Sequence, residues 1–180
     1  DITNLRRIVW SKQYGNLDYL ICRFTCACRN RGEWGQFRYD IPDTLMVEGS
    51  VHHLDLLCDL ATQGDGSRCE SLFAHTWNTP WSQFNGDCQG MVTMQMQNGK
   101  HIFYEGAKSN ATGLNGWGGE YIRAECEGAT VIMNHAGISR RIMALADAFV
   151  GHTIGGLAQV NVLLSMLMAG MSGSSTADAA

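Results

Sequence analysis

Alternating apolar and polar residues predict a long first strand in this chain. Residues 18–29 alternate along their whole length, as a strand does when one of its faces is buried. Leu20, Cys22 and Phe24 fall on one face and Ile21 and Arg23 on the other. One side of the predicted sheet is therefore apolar and rich in thiols.

Two hairpins are predicted further along the chain. The first joins residues 87–96 to residues 101–108 through Asn98-Gly99, the strongest short signal for a tight turn between strands. The second joins Tyr121–Cys126 to residues 129–133 through a turn that contains Gly128. The middle of the chain is therefore expected to be an antiparallel meander.

Two helices are predicted to close the chain. The first has apolar residues at helical spacing before a stop at Gly151, and the second is the nearly all-apolar segment 157–171. Together with the strands they predict an α+β class: a largely antiparallel, open-faced sheet with helices on one face. The apolar residues of the first helix are Ile138, Ile142, Leu145 and Phe149.

Composition adds a domain count. The chain has 180 residues, of which 45% are hydrophobic and 17% charged, which is typical of one globular domain with a sizeable core. We expect that domain to span residues 1–171. Residues 172–180 are mostly small, and a frayed tail is expected there.

Charge and hydropathy argue against two classes of partner. The net charge is -4 and the 13 Lys and Arg residues are scattered, so neither nucleic acid nor an anionic membrane is an expected partner. The apolar run 160–170 is interrupted by Asn161 and Ser165 and is shorter than the roughly 20 residues of a membrane span, which predicts a buried helix. Residue 1 is Asp and no leader pattern follows it, so we expect a fragment.

The seven cysteines form an odd number with no framework of paired spacings, which favours a reducing cytoplasm. Cys22, Cys26 and Cys28 leave open a zinc site, because thiolates close in sequence can converge on one ion. No second cysteine pair of the usual spacing accompanies them. The interpretation favoured by the strand alternation is a small apolar patch of sheet surface.

One helical segment, residues 48–59, carries the candidate chemistry. On a wheel of 3.6 residues per turn, the predicted core stripe lies beside a polar row formed by Glu48, His52, Asp55 and Asp59, while His53 points away with Leu60. Glu48 and His52 are four residues apart, so a carboxylate could hold one imidazole nitrogen and leave the other to exchange a proton. A solvated helix face with an incidental histidine remains the alternative. The predicted core stripe is Val47, Val51, Leu54, Cys58 and Ala61.

Residues 47–57 resemble the catalytic helix of the Gfo/Idh/MocA family of oxidoreductases. The similarity covers nearly the whole chain, because weaker motifs of the same family follow in order. They are residues 5–9, residues 14–17, Arg38, residues 77–81 with Gly86-Asp87, residues 96–100, Gly116-Trp117 and residues 121–128.

The resemblance implies the C-terminal α/β domain of an NAD(P)-dependent dehydrogenase that acts on a sugar, cyclitol or related polyol. It implies that His52 takes the substrate hydroxyl proton and that Glu48, at a position where the family usually has Asp, orients it. Asp55 matches an acidic residue that commonly follows the catalytic histidine. We expect it to anchor the helix or to support the site, with a plain surface carboxylate as the alternative.

The cofactor-binding half of such an enzyme has no counterpart in the sequence. Binding a dinucleotide requires a glycine-rich turn between a strand and a helix, whereas the glycines between Gly113 and Gly119 precede a predicted strand. The lysine of the family's Glu-Lys-Pro motif is also missing. NAD or NADP would therefore be bound mainly by a domain absent from this chain, which we expect to be inactive alone.

Candidate substrate contacts follow from chemistry and from proximity to the cleft that the resemblance implies. Aromatic rings stack on sugar faces and planar cations bind pairs of hydroxyl groups, which selects Arg38, Trp117, Tyr121 and Arg123. Packing in the core or at the rim is the alternative for each of them.

The family also implies a homo-oligomer that packs through the open face of the sheet. The thiols, Phe24 and the strand over residues 91–96 would make one face too apolar to leave in water. This leaves a second functional class, a non-catalytic oligomerisation or ligand-binding module that derives from a truncated or decayed paralogue.

Overall fold

The computed structural model describes residues 2–134 of the chain. The helices predicted after residue 137, and the tail, lie outside the described residues. The helical elements are α1 (Ile2–Trp10), α2 (Phe37–Asp40), a π-helical turn (Leu45–Ser50) and α3 (Val51–Thr62), which follows that turn directly. The strands are β1 (Leu17–Thr25), β2 (Cys69–Trp77), β3 (Gln89–Met96), β4 (His101–Ala107), β5 (Tyr121–Cys126) and β6 (Ala129–Asn134).

The six strands form one mixed sheet in the order β2-β3-β4-β1-β5-β6. Strand β1 runs parallel to β4, and the other neighbouring pairs are antiparallel. The predicted class, a largely antiparallel sheet with helices on one face, is confirmed. The parallel pair places the end of β1 beside the end of β4, where the candidate site is found.

Both predicted hairpins are confirmed. In the β3–β4 turn, Gly99 adopts a φ of 81°, a left-handed conformation that a residue without Cβ takes at little cost. The Met96 amide donates to the Lys100 carbonyl at 2.8 Å and closes the turn. The second turn brings Cys126 opposite Ala129, as the spacing predicts.

Strand assignment from the sequence differed from the structure in two places. Strand β2 was not predicted from the sequence, in which Leu72, Phe73 and Ala74 interrupt the alternation. As an edge strand β2 is exposed over residues 69–75, so no buried face imposes a period of two. Strand β1 ends at Thr25, four residues before the predicted end, and the chain then continues only through an isolated bridge from Ala27 to Ser109.

The face that carries the cysteines is the face that the helices cover. Leu20, Cys22 and Phe24 of β1 are fully buried, together with apolar residues of β3, β4 and β5. Leu5 and Val9 of α1 and the apolar side of α3 complete this core. The apolar-surface interpretation of the cysteine strand is confirmed, since Cys22 and Cys26 pack in the core.

The open face of the sheet is therefore not the thiol face, and the residues predicted to line it were wrong. Since neighbouring residues of a strand point to opposite sides, the face opposite the thiols has a different composition. Its central row crosses all six strands and combines apolar with polar side chains. In strand order the row is Phe73, Thr93, Phe103, Ile21, Arg123 and Ile132.

Among residues 2–134, no helix has the length and hydropathy that crossing a bilayer requires. The buried helix predicted around residues 160–170 lies outside this range.

Leu60 of α3 is fully buried, which provides a test of the helix–sheet core. We expect Leu60→Ala to lower the free energy of unfolding by about 2–5 kcal/mol, because a cavity remains where the side chain was. Leu72→Ala on the exposed edge strand is the matched control, with an expected loss of less than about 1 kcal/mol. Chemical denaturation of the full chain measures both. Equal losses would contradict the assignment of Leu60 to the core.

Candidate active site

A cavity of about 530 Å³ opens where the end of β1, α2, the start of α3 and the β4–β5 loop come together. Four of the six side chains predicted to catalyse or to bind substrate line it, although they are far apart in sequence. Its lining is Cys26, Cys28, Glu33, Trp34, Arg38, Glu48, His52 and Trp117.

The carboxylate of Glu48 binds two cations at the side of this cavity. Arg38 donates from Nε to Oε1 at 2.6 Å, and Lys108 donates from Nζ to Oε2 at 2.5 Å. Lys108 is fully buried and also donates to the carbonyl and the hydroxyl oxygen of Thr44, at 2.9 and 3.2 Å. Three parts of the chain, α2, the π-helical turn and the residue that follows β4, are thereby joined through one carboxylate.

Opposing effects act on the pKa of Glu48. Partial burial raises it, while the hydrogen bonds and charges of Lys108 and Arg38 lower it, and the net result is a pKa below the ordinary 4.5. The carboxylate is therefore ionised at neutral pH. Burial lowers the pKa of Lys108, and its contact with Glu48 opposes that shift.

The structure brings Glu48 and His52 to the same cavity but does not join them by a hydrogen bond. Within residues 2–134 the hydrogen bonds of the Glu48 carboxylate go to Arg38 and Lys108. The reason is local: Glu48 lies in the π-helical turn, where the i→i+5 repeat places residues four apart differently from an α-helix. The geometric premise of the predicted dyad therefore fails, whereas the assignment of a catalytic role to each residue stays a prediction.

His52 has an exposed side chain at the mouth of the cavity. Its ring lies edge-on to Trp117, with 5.5 Å between the ring centroids. The imidazole is therefore accessible to a small molecule in the cavity, as an acid or base that touches substrate requires.

The helical wheel drawn from the sequence was correct for Ala61, which is fully buried, while Leu54 and Cys58 of the predicted stripe lie only at the edge of the core. His53, which was predicted to point away, is only 4% exposed, and Leu57, Leu60 and Ala61 are buried with it. Val47 and Val51, predicted to be core residues, are 64% and 48% exposed. The π-helical turn affects only the placement of Val47; inside α3 the two stripes differ because His53 was left out of the predicted core. Counting His53 as a core residue would have revealed the stripe, because residues 53, 57, 60 and 61 have helical spacing.

Two predicted substrate residues lie elsewhere. Tyr121 and Arg123 of β5 point to the open face, because the alternate residues Ile122 and Ala124 are buried under the helices. There Arg123 donates to the Tyr19 hydroxyl at 3.0 Å and pairs with Glu125 at 2.9 Å. These two side chains do not line the cavity.

Asp55 is exposed and forms no hydrogen bond or ion pair within residues 2–134, as expected of a surface carboxylate. The acidic residue that anchors α3 is Asp59, which pairs with Arg6 of α1 at 2.7 Å. On the predicted helical wheel both residues lie in one polar row, and their spacing does not distinguish the one that meets a partner.

The cysteines near the cavity are thiols rather than thiolates. Burial raises the pKa of Cys22 and of Cys26 to about 12, and it also raises the pKa of Cys28. In the part of the chain that the structure describes, no three His, Cys, Asp or Glu side chains are placed to hold a metal ion.

Sequence reasoning missed Lys108 and Trp34, both of which belong to this site. The centroid of the Trp34 ring lies 4.9 Å from the Lys108 amino group and 4.9 Å from the Arg38 guanidinium. A lysine at the end of an apolar strand carries no pattern that predicts burial. The role of Lys108 becomes evident only from its contact with Glu48, which is 60 residues away in sequence.

Comparison with solved structures places this geometry in a known fold. The structure matches an oxidoreductase from Agrobacterium radiobacter in complex with NAD+, L-tartaric acid and magnesium (TM-score 0.59, 15% identity), over 74% of this chain and 37% of that one. A myo-inositol dehydrogenase from Corynebacterium glutamicum matches with a TM-score of 0.56 and 14% identity, over 74% of this chain and 37% of that one. The described residues have the fold of the C-terminal domain of Gfo/Idh/MocA-type oxidoreductases.

In sequence, the chain is 40% identical over 135 residues to the uncharacterized protein y4oX of Sinorhizobium fredii. That alignment covers 75% of this chain and 36% of y4oX. The chain therefore spans little more than a third of this relative, and a similar share of the solved structures.

The end of the chain is similar to proteins of another family. Residues 129–180 match the family model of the DctM component of tripartite ATP-independent periplasmic (TRAP) transporters. The sialic acid TRAP transporter large permease protein SiaM of Vibrio cholerae is 52% identical over 48 residues, which are 27% of this chain and 11% of SiaM. The match begins at β6, the last strand of the described sheet.

The environment of Glu48 predicts how acid acts on the fold. Because its pKa is lowered in the folded state, Glu48 stabilises the fold fully above pH 4.5, and this contribution is lost as the pH falls through the lowered pKa. We expect Glu48→Gln to lower the free energy of unfolding at pH 7 and to flatten its fall below pH 4.5. Denaturant titrations between pH 7 and pH 3 measure the difference, with Glu70→Gln on exposed β2 as the control. An unchanged pH dependence in Glu48→Gln would contradict the ion network.

Proposed function

We propose that this chain is the substrate-binding and catalytic half of an NAD(P)-dependent oxidoreductase that acts on a sugar, cyclitol or related polyol. The observation that carries the proposal is an accessible His52 at the mouth of a cavity with two indole walls and an ionised carboxylate. The fold supports the class of enzyme, since the structural neighbours are dehydrogenases and oxidoreductases.

In this proposal His52 is the general base. It takes the proton of the substrate hydroxyl group that is oxidised, because its ring is accessible from the cavity. Trp34 and Trp117 offer apolar faces for a sugar or cyclitol ring to stack on. Arg38 and Glu48 supply donors and acceptors for its other hydroxyl groups, and their mutual ion pair holds both in place.

The described residues do not fit a dinucleotide. The glycines at positions 113, 116, 118 and 119 lie in the loop between β4 and β5, so the chain beyond them enters a strand rather than a helix whose N-terminus could bind a pyrophosphate. NAD or NADP, which would supply the hydride acceptor, is therefore assigned to a domain outside these residues. In this proposal the present chain contributes proton transfer and substrate positioning. We expect it to be inactive alone.

We also propose that a second copy of the chain covers the open face of the sheet. Phe73, Met91, Phe103 and Ile132 are exposed there, and Arg23 forms an ion pair with Glu105 across β1 and β4. A mixed face of this kind is typical of an interface, and about 1,600 Å² of total burial is usual for a stable one. A cytoplasmic location stays part of the proposal, supported by seven free thiols.

A non-catalytic module is the second candidate. It is favoured by the match of residues 129–180 to a transporter family, because a chain whose last residues are similar to a transporter component need not be an enzyme. The DNA upstream of residue 1 separates the two candidates. A strand, a glycine-rich turn and a Lys-Pro pair encoded there would support the enzyme, whereas a start codon close to Asp1 would support the module.

The decisive experiment removes the proposed base. In the full-length protein that contains this chain, we expect His52→Ala to lower kcat by about 10²- to 10⁴-fold for polyol oxidation, as loss of a general base does. The affinity for NAD(P) should remain, because the nucleotide is held elsewhere. His101→Ala, at the exposed first position of β4, is the control and should leave kcat unchanged. A His52→Ala enzyme with the parent rate would show that another group accepts the proton.

A further inference from the structure

His53 lies next to the proposed base in sequence but faces the interior of the domain. Its ring packs against Phe24, with centroids 4.6 Å apart. Both of its nitrogens are occupied: Nδ1 lies 3.3 Å from the Tyr104 hydroxyl, and Nε2 lies 3.4 Å from Oε1 of Glu120. At 4% exposure and with both nitrogens hydrogen-bonded, His53 is not accessible to a substrate in the cavity.

The two partners determine which nitrogen carries the proton. Burial raises the pKa of Tyr104, so its hydroxyl group remains protonated and can donate to Nδ1. Nε2 then bears the hydrogen and donates to the Glu120 carboxylate. Burial raises the pKa of Glu120, whereas the hydrogen bonds from His53 and from the Gly118 amide lower it by a larger amount. The net pKa lies below its ordinary value, so the carboxylate is ionised. In this arrangement each donor in the series has an acceptor.

Glu120 extends this series into the loop that forms one wall of the cavity. The same Oε1 accepts the amide hydrogen of Gly118 at 2.9 Å. Gly118 has a φ of 77°, and the Gly119 amide donates to the Gly116 carbonyl at 2.8 Å, which closes a tight turn. Trp117 is the side chain carried on this turn, and its ring lies 5.5 Å from the rings of both His52 and His53.

We propose that His53 is a positioning residue that, through Glu120, holds the turn of residues 116–119 so that Trp117 forms the wall of the cavity beside His52. The indole is 58% exposed and contacts the rings of Phe24, His52 and His53, so its own packing covers only part of it. The Glu120 side chain adds a hydrogen-bonded link between α3 and the backbone of this turn. The series Tyr104–His53–Glu120 thus connects the sheet, the helix of the proposed base and the loop. Only the statement that the cavity takes a polyol rests on the proposed function.

The fluorescence of Trp117 in the full chain tests the proposal without substrate or cofactor. The signal of this residue is the difference between each variant and the same variant carrying Trp117→Phe, because four other tryptophans are present. We expect Glu120→Ala and His53→Leu each to raise the acrylamide quenching constant of Trp117 by about twofold or more, since a released loop exposes the ring on the nanosecond timescale. The double variant should add nothing, as two members of one contact do not act independently.

Conservative variants separate positioning from a general loss of structure. Glu120→Gln keeps an oxygen that can accept from Nε2, and it should retain the parent quenching constant. Glu70→Ala on exposed β2 is the control and should leave Trp117 unchanged. Parent-like quenching in Glu120→Ala, or additive effects in the double variant, would overturn the proposal. If His53→Leu fails to fold, the comparison of Glu120→Ala with Glu120→Gln still decides, because Glu120 lies in the β4–β5 loop and outside the hydrophobic core.

Kinetics in the full-length protein distinguish this proposal from the assignment of His52. Glu120→Ala should raise KM for the polyol several-fold and leave kcat close to the parent value, because a wall of the cavity moves while the base stays. His52→Ala should act on kcat instead. If no polyol is oxidised, the proposed function fails while the quenching results still stand.

Discussion

The ionised carboxylate of Glu48, held between Arg38 and Lys108, is the interaction on which this site depends. The charge of Lys108, which is fully excluded from water, needs an acidic partner. Removal of one partner from a buried ion pair costs about 3–5 kcal/mol, because the other charge is left unpaired. Glu48 is this acidic partner and draws α2 and the end of β4 against the π-helical turn. Trp34, which lies over both cations, closes the same corner of the fold. The cavity therefore has a charged and rigid side before any ligand enters.

The two adjacent histidines have different environments because successive residues of an α-helix point about 100° apart. The π-helical turn directly precedes α3, in which His52 faces the cavity and His53 faces Phe24 in the core. A π-bulge inside an α-helix is frequent at functional sites. Here the exposed imidazole keeps its ring accessible, while the buried one has both nitrogens bound. One short segment of chain thus carries both the proposed base and the proposed anchor for the wall beside it.

The two ends of the chain are similar to different proteins. Residues 2–134 form the sheet-and-helix fold of a dehydrogenase domain, while the match to a transporter component begins at residue 129. The two similarities meet at β6, an edge strand that pairs only with β5 among the described strands. An edge strand is a position where a sheet tolerates a change of sequence, because just one neighbour depends on its hydrogen bonds. The candidate site lies on the other elements and includes no residue of β6.

The sequence by itself determined the features that depend on neighbouring residues: the two hairpins, the alternation of β1 and the approximate position of α3. It also selected Arg38, Glu48, His52 and Trp117, through a resemblance in which their order along the chain was preserved. Only the tertiary structure decided which face of the sheet is covered, how α3 is rotated and where the charge of Lys108 is balanced. A period of two or of 3.6 residues defines the faces of an element but not the face that meets a partner. That choice is made by contacts between residues such as Glu48 and Lys108, whose separation along the chain leaves no local pattern.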